Sequence, residues 1–157
     1  MKVGIIGGGR VGSRLAASLR EAGVLVGITA ASEQHSAQLA QQFGVTATDN
    51  AKLWQAADVL LLTVPDRLIG TVAEELAQSV TPAAKVVLHV SGSVGLEPLA
   101  PLAQLGAHVG SLHPLQSFAG GNTKLAGVYM ALDGDSEAQD AGKKLVELFG
   151  GKAFSVP

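Results

Sequence analysis

The sequence contains no cysteine, few charged residues and no long apolar run, and each absence excludes a class of protein. Without cysteine there are no disulfides, no thiol catalysis and no cysteine metal sites. Only 15% of the residues are charged, and the 11 basic and 13 acidic side chains form no basic cluster, so we expect no nucleic-acid ligand. No apolar run approaches the roughly 20 residues of a membrane helix, and the N-terminus is a poor signal peptide. We therefore expect a cytoplasmic protein without a membrane partner.

Aromatic residues are also scarce, with one Trp, one Tyr and four Phe, whereas there are 20 glycines. This combination suits a fold with many tight strand–helix turns and would be unusual for a β-sandwich. The chain has 157 residues, of which 47% are hydrophobic, so it is too apolar to be disordered. Its length predicts one domain, residues 1–157.

Apolar segments and helical repeats alternate along the chain. The segments that predict strands are Lys2–Ile6, Val24–Thr29, Val45–Ala47, Val59–Val64, Lys85–Val90, Ala107–Leu112, Val128–Leu132 and Ala153–Val156. Ser32, Asn50, Asp66 and Asp135 stand where helix N-caps belong. Strands joined by helices of this length imply right-handed crossovers. The sequence thus predicts an α/β, Rossmann-type doubly wound, mostly parallel sheet with helices on both faces.

Helical spacing also predicts which side chains face inward in two of the helices. The predicted inward residues are Ala37, Ala40 and Phe43 after Ser32, and Ala138, Ala141, Leu145 and Leu148 after Asp135.

Gly7, Gly9 and Gly12 form a G-x-G-x-x-G pattern directly after the first predicted strand and at the start of a helix. In this context the first glycine makes a tight turn, the second lets a pyrophosphate approach the backbone, and the third allows close helix packing. The N–H groups around Arg10 and Val11 then face the phosphates, with the helix dipole behind them. The alternative, a glycine-rich turn without a ligand, is disfavoured by the strand–helix context.

The end of the second strand indicates which dinucleotide to expect. NAD-binding proteins place Asp or Glu there to hold the ribose. This chain has the segment Thr29-Ala-Ala-Ser32 instead, with Glu33 one step later. The missing carboxylate favours a 2′-phosphate, and hence NADP over NAD, with Ser32 as a donor and Arg10 stacked on the adenine or paired with the phosphate. The alternatives are that Ser32 only caps a helix and that Arg10 is merely solvated.

Two further loops follow strands at the same rim, where open parallel sheets bind ligands. Val64, Pro65 and Asp66 are candidates to lie against the cofactor, although Asp66 is expected to cap a helix rather than to act as an acid. Ser91 and Gly92 precede another serine, and such a turn suits a carboxamide, a carboxylate or a phosphate. They are candidate substrate-binding residues, with an ordinary turn as the alternative.

His113 ends the next strand and is a candidate acid or base, because histidine titrates near neutrality. Ser91 is its candidate catalytic partner, and Gln116 is a candidate group for orienting the substrate. The alternative is a histidine that only hydrogen-bonds a loop.

The other histidines give no further site. His89 lies inside a predicted strand and is expected to be a satisfied core residue, and His35 and His108 carry no signal. Four scattered histidines without paired carboxylates predict no metal site.

Four segments resemble a known group in their order and spacing. They are Val3-Gly-Ile-Ile-Gly-Gly-Gly-Arg-Val-Gly12, Val64-Pro-Asp66, His89-Val-Ser-Gly92 and Ser111-Leu-His-Pro-Leu-Gln-Ser-Phe118. The chain resembles the Rossmann-like NADP oxidoreductases related to pyrroline-5-carboxylate reductase and the 6-phosphogluconate dehydrogenase superfamily. Its pattern is similar to the branch with an H-P-L-Q segment and a C-terminal helical domain of unknown function. The resemblance implies a nicotinamide cofactor on residues 7–12, 32 and 64–66, with the substrate near Ser91 and His113.

The resemblance also carries an expectation about assembly. Members of this branch continue past the final strand into a helical domain that forms the dimer and closes the substrate cleft, whereas this chain stops at Pro157. We expect that domain to be absent from this chain and some apolar surface to be bare. A homodimer is then expected, through the C-terminal strands or the Val94–Leu105 segment.

Taken together, the sequence predicts an NADP-dependent oxidoreductase of a small-molecule substrate, or its cofactor-binding domain. The alternative is a non-catalytic nucleotide-sensing Rossmann module. Such modules, like methyltransferases, typically carry an acidic residue after the second strand, and this chain has none there.

Overall fold

A single sheet organises the computed structural model, which describes residues 1–115 and 125–156. The strands in this part of the chain are β1 (Val3–Ile6), β2 (Leu25–Thr29), β3 (Val59–Leu62), β4 (Val86–His89), β5 (His108–Pro114), β6 (Tyr129–Gly134) and β7 (Lys152–Ser155). Their spatial order is β2-β1-β3-β4-β5-β6-β7. Only the β5–β6 pair is antiparallel among these described strands. The predicted doubly wound, mostly parallel α/β sheet is confirmed.

Helices cover this sheet on both faces. They are α1 (Arg10–Glu21), α2 (Glu33–Phe43), α3 (Asn50–Ala56), α4 (Ile69–Ser79), α5 (Ala100–Ala103) and α6 (Ser136–Phe149), with 3₁₀ turns at Asp66–Leu68 and Glu97–Leu99. Buried side chains of α1, α2 and α6 form one core with the sheet, and those of α3, α4 and α5 form the other. Within the described residues, no helix combines the length and the hydropathy that crossing a bilayer requires.

The chain reverses its direction of travel across the sheet next to β1. From β1 it passes outward to β2 at the edge, and it then returns to β3 on the other side of β1. The loops after β1 and β3 therefore diverge at the carboxyl ends of the strands. Such a switch point leaves a crevice in which open α/β sheets bind ligands.

The central strands are apolar because both of their faces are covered. All four residues of β1 and all four of β3 are buried. Trp54 of α3 is also buried, and its indole N–H donates to the carbonyl of Thr81 at 3.1 Å, so its polar atom is satisfied. The continuous run Val59–Leu62 thus indicated its own central position.

Two local predictions are wrong. Val45–Ala47 is not a strand: Gly44 ends α2 with φ +67°, and the N–H of Val45 donates back to the carbonyl of Ala40 at 3.0 Å. That helix-terminating bond uses the donor a strand would need. The cap of α3 is also one residue earlier than predicted, because Asp49, not Asn50, accepts from the N–H of Lys52.

The inward faces of two helices are rotated relative to the predicted ones. Ala37 is exposed, whereas Ser36 and Leu39 are buried. In α6, Leu148 is 40% exposed and Phe149 is buried. The errors lie at one end of each predicted set, since Ala40 and Phe43 in α2 and Ala138, Ala141 and Leu145 in α6 are buried as predicted.

One face of β6 and β7 carries exposed apolar side chains. Tyr129 and Phe154 are 55% and 42% exposed. Lys152 lies over the Tyr129 ring at 5.4 Å from its centroid, which places the two on the same face. Met130, the next residue along β6, points the other way into the core with α6. In the described part of the chain, no helix packs on this second face of β7.

A charged pair of side chains lies at the end of the sheet opposite the crevice. Nδ1 of His108, the first residue of β5, lies 2.8 Å from Oδ2 of Asp135, and Glu137 is 3.8 Å from the same nitrogen. The other oxygen of Asp135 accepts from the N–H of Ala138 and caps α6, as predicted. The hydrogen bond to Asp135 raises the pKa of His108. Burial acts to raise the pKa of Asp135, but the bonds from Ala138 and His108 lower it overall.

This pair predicts a bell-shaped contribution to the free energy of unfolding. The raised pKa of His108 stabilises the folded state at low pH, and that contribution is lost as pH rises through the folded value. The lowered pKa of Asp135 stabilises it at higher pH, and that contribution is lost as pH falls through the folded value. The full contribution is therefore expected between about pH 4 and pH 6.5, the ordinary values of the two side chains.

Urea unfolding across this pH range measures the effect. His108→Gln and Asp135→Asn should each lose the same bell-shaped part of the stability, and Asn can still cap α6. The double variant should lose little more than either single variant. A pH-independent difference between His108→Gln and the parent would contradict the assignment.

Candidate functional site

A cleft of about 620 Å³ lies at the switch point, between the loops after β1, β2 and β3. It brings together most of the residues predicted to bind a cofactor. Those that line it are Gly7, Gly9, Arg10, Val11, Val64, Pro65, Asp66 and Ser91. Gly12, Ser32, Gly92 and His113, which were also predicted, are not among its lining residues.

The three glycines of the loop have distinct structural requirements. Gly7 has φ +121°, and a Cβ there would lie 2.8 Å from the Thr63 carbonyl carbon. A Cβ on Gly12 would strike the Gly7 carbonyl and lie 2.5 Å from Oγ1 of Thr63. Gly9 differs, because nothing lies within 4 Å of a Cβ built there. The fold therefore demands glycine at positions 7 and 12, whereas the space above Gly9 is free for a ligand.

The N-terminus of α1 opens onto this free space. Gly9 is its N-cap, has no side chain to satisfy the first-turn N–H groups, and is followed by no acidic residue in that turn. The helix therefore presents uncompensated donors and the positive end of its dipole. Arg10, whose side chain is exposed, adds a positive charge at the same point. Together these groups suit an anion.

The end of β2 is held rigidly by side chains. The hydroxyl of Ser36 accepts from the N–H of Ala30 at 2.8 Å and donates to the carbonyl of Ala30 at 3.3 Å. Oγ of Ser32 accepts from the N–H of His35 at 3.1 Å, so the predicted helix cap is present. A hydroxyl that accepts one bond keeps its own hydrogen to donate. The capping and ligand-binding roles considered for Ser32 are thus compatible.

A second cleft, of about 420 Å³, lies on the other side of the same strand end. Ala30 and Ala31 line both clefts, and Ser32, Asn50 and Lys52 line the second. Oδ1 of Asn50 accepts from Oγ1 of Thr29 at 2.6 Å, which leaves its amide N–H groups as donors. Sequence reasoning assigned Asn50 only to a helix cap. The sequence signal that could have indicated a role for Asn50 at the site was its position at the start of α3, which leads into the central strand β3.

Asp66 differs from its predicted capping role. It lies in a 3₁₀ turn without a side-chain cap, and its Oδ2 accepts from Oγ of Ser93 at 2.9 Å. This bond joins the loop after β3 to the loop after β4 across the rim. Pro65, directly before Asp66, has no backbone N–H to donate, and it lines the cleft together with Val64.

The loop after β4 is fixed by bonds within itself. Oγ of Ser91 accepts from the N–H groups of Ser93 and Val94, both at 3.2 Å. His89 is fully buried and satisfied: its Nε2 pairs with the Gly95 carbonyl at 2.9 Å, and its Nδ1 accepts from the N–H of Ser91 at 3.1 Å. The prediction that His89 is a core residue is confirmed.

His113 lies inside β5, one residue before its end, and is half-buried. Its Nδ1 is 3.1 Å from the carbonyl oxygen of Val90. Since a carbonyl only accepts, Nδ1 carries the proton and Nε2 of the neutral ring is an acceptor, with no hydrogen-bond partner among residues 1–115 and 125–156. Gln116, the predicted orienting group, lies outside the described residues.

The histidines are less isolated than the sequence indicated. His108 has two carboxylates beside it, Asp135 and Glu137, so the expectation that no histidine pairs with a carboxylate is wrong. β6 returns antiparallel to β5 and brings its end to the start of β5. Asp135 already uses its two oxygens for the helix cap and for His108. This group therefore holds α6 against β5.

Comparisons with known proteins agree with the fold. A family model described as Rossmann-like domain matches residues 1–114. The chain is similar to D-apionate oxidoisomerase from Cupriavidus necator, with 27% identity over an alignment 163 positions long that spans 94% of this chain and 58% of that protein.

Solved structures show the same arrangement of strands and helices. Arogenate dehydrogenase from Synechocystis is 24% identical, with a TM-score of 0.80 over 99% of this chain and 59% of that chain. 1-Pyrroline-5-carboxylate reductase from Streptococcus pyogenes is 22% identical, with a TM-score of 0.77 over 100% of this chain and 58% of that chain. The chain thus spans less than two thirds of the length of each of these three proteins.

Proposed function

The chain belongs to the Rossmann-like domain family, and from this premise we propose that it is the NADP-binding domain of an oxidoreductase that acts on a small molecule. The observation that carries the proposal is the free space above Gly9, next to the uncapped N-terminus of α1, in the cleft at the switch point. A pyrophosphate fits this combination of an open backbone, unpaired donors and a helix dipole. The names of the similar proteins, an oxidoisomerase, a dehydrogenase and a reductase, describe redox chemistry.

Four features at or near the end of β2 favour NADP over NAD. Ala30 and Ala31 provide no carboxylate that would repel a 2′-phosphate. Ser32 keeps a hydroxyl hydrogen to donate, and Arg10 lines the same cleft as the two alanines. Asn50, on the other side of the strand end, adds amide donors. Together these groups suit a phosphate better than a ribose diol.

The reaction end of the cleft lies towards Ser91, the last of its lining residues along the chain. A bound nicotinamide would supply a hydride donor or acceptor there. We propose that His113 exchanges a proton with the substrate at Nε2, since Nδ1 is occupied by the Val90 carbonyl. Ser91 and Gln116 are proposed to orient the substrate. We assign the chain to the branch with the H-P-L-Q segment, whose helical domain would complete the substrate cleft.

The first test concerns Gly9. Gly9→Val should leave the fold intact, because a Cβ there meets nothing, but its side chain would occupy the pyrophosphate space. We expect calorimetry to show loss of NADPH binding in a chain that still unfolds cooperatively, with a slightly lower melting temperature because valine is a poorer N-cap residue than glycine. Ala17→Val, on the exposed face of α1, is the matched control and should bind normally. Unchanged NADPH affinity in Gly9→Val would remove the phosphate role of the loop.

The second test concerns Ser32. Ser32→Asp keeps a good N-cap for α2 but places a carboxylate where the 2′-phosphate is proposed to lie. One charge-assisted hydrogen bond contributes about 1.5–3 kcal/mol, so NADPH affinity should fall by about tenfold or more. NADH affinity should stay the same or improve. If Ser32→Asp weakens both dinucleotides equally, the hydroxyl does not recognise the phosphate.

We also propose that the chain forms a homodimer through β7. β7 lies at the edge of the described sheet, and all four of its residues are exposed, with the apolar Phe154 within it and the exposed Val156 directly after it. An exposed edge with apolar side chains favours pairing with another strand. The other predicted segment, Val94–Leu105, is less suited because its Leu99 and Leu102 are buried in the chain's own core.

Sedimentation velocity tests the dimer. The parent chain should show a concentration-dependent dimer, and Phe154→Lys should shift it towards monomer because the added charge would be buried at the interface. Leu148→Lys introduces the same charge at an exposed apolar residue on α6 and should leave the dimer intact. A parent chain that stays monomeric at high concentration would contradict the proposal.

A further inference from the structure

Gly92 lies directly against the imidazole of His113. A Cβ built on Gly92 would fall 2.5 Å from Cδ2 and 2.9 Å from Cε1 of the ring, and closer still to Nε2. Real Cβ atoms do not approach other atoms this closely, so any side chain at position 92 must displace the ring. The ring position thus depends on glycine at this point.

Neither side of this contact can move easily. The loop that contains Gly92 is fixed by the bonds that Ser91 accepts from Ser93 and Val94. On the other side, the backbone of His113 is held by the pairing of β5 with β6, where it lies opposite Ala131. Relief from an added methyl group must therefore come from rotation of the imidazole.

Rotation of the ring would break its one described hydrogen bond. Nδ1 of His113 donates to the Val90 carbonyl at 3.1 Å, two residues before Gly92. This bond selects the Nδ1–H tautomer and leaves Nε2 as the acceptor. Without it, a solvated imidazole has no reason to keep the proton on Nδ1.

We infer that Gly92 is a positioning residue for His113: by lacking a side chain, it lets the imidazole dock on the Val90 carbonyl and so keeps Nε2 free to accept a hydrogen bond. The inference deepens the proposed function. The part of it that gives His113 a role in the reaction rests on that function, whereas the orientation of the ring does not. In this inference Gly92 positions His113, instead of contacting the substrate directly as the sequence analysis expected. A free acceptor at Nε2 matches a substrate that carries an O–H or N–H donor on the reacting carbon.

Nitrogen NMR of the histidine rings tests the inference on the protein without any ligand. At about pH 8, where an ordinary imidazole is neutral, His113 of the parent chain should show the Nδ1–H tautomer. His89 is an internal reference with the opposite, Nε2–H tautomer, since its Nε2 must donate to the Gly95 carbonyl. Finding His113 with its proton on Nε2 in the parent chain would overturn the inference, whatever any variant does.

Gly92→Ala provides the second measurement. Position 92 has no positive φ, so alanine adds only the contact with the ring. We expect loss of the Nδ1–H signature of His113, with the tautomer of His89 unchanged. Gly95→Ala, in the same loop, is the matched control, because its Cβ would meet only the flexible carboxylate of Glu97. A Gly92→Ala chain that folds and keeps the parent signature of His113 would overturn the inference.

Titration with NADPH separates this inference from the proposed function. Gly92 does not line the cleft, so Gly92→Ala should bind NADPH within about twofold of the parent. A parent chain that binds no NADPH would contradict the proposed function and leave the tautomer result standing. A large loss of NADPH affinity in Gly92→Ala alone would show that Gly92 contacts the cofactor region and would overturn the positioning role.

Discussion

The turn at Gly7 ties three strands together, and the geometry of the cleft depends on it. The Gly7 N–H donates to the Thr29 carbonyl at the end of β2 at 2.8 Å. Its carbonyl accepts from Oγ1 of Thr63, after β3, at 2.7 Å. The turn needs φ +121°, and α1 can pack over it only because residue 12 is also glycine. One backbone turn therefore sets where β1 ends, where α1 begins and how wide the switch point opens.

The two ends of the proposed site are built in different ways. At the end proposed to bind phosphate, the available groups are backbone N–H groups and a helix terminus, which a ligand can reach only where side chains are absent, as at Gly9. At the reaction end, one imidazole must have a defined orientation and tautomer. There the structure uses the Val90 carbonyl and the small size of Gly92 to orient His113. In both places glycine leaves space for a group to approach.

Local chemistry made parts of this structure predictable. The caps at Ser32 and Asp135 follow from short polar side chains before helices, and the buried run Val59–Leu62 follows from two covered faces. Predictions failed where a nearby bond competed. Val45 gives its N–H to the end of α2 and so leaves no strand. Asp66 pairs with Ser93, 27 residues away, and so caps no helix.

The sequence by itself determined the class of fold and the place of the glycine loop, because the hydrophobic periodicity and the glycine spacing are set by residues close together in the chain. Only the tertiary structure decided what depends on distant residues that meet in space. The antiparallel return of β6 brings Asp135 to His108, and the parallel pairing of β4 with β5 brings His113 to Gly92. No local pattern encodes these contacts, since strand order and register set them, and strand order follows from packing the whole sheet between its helices.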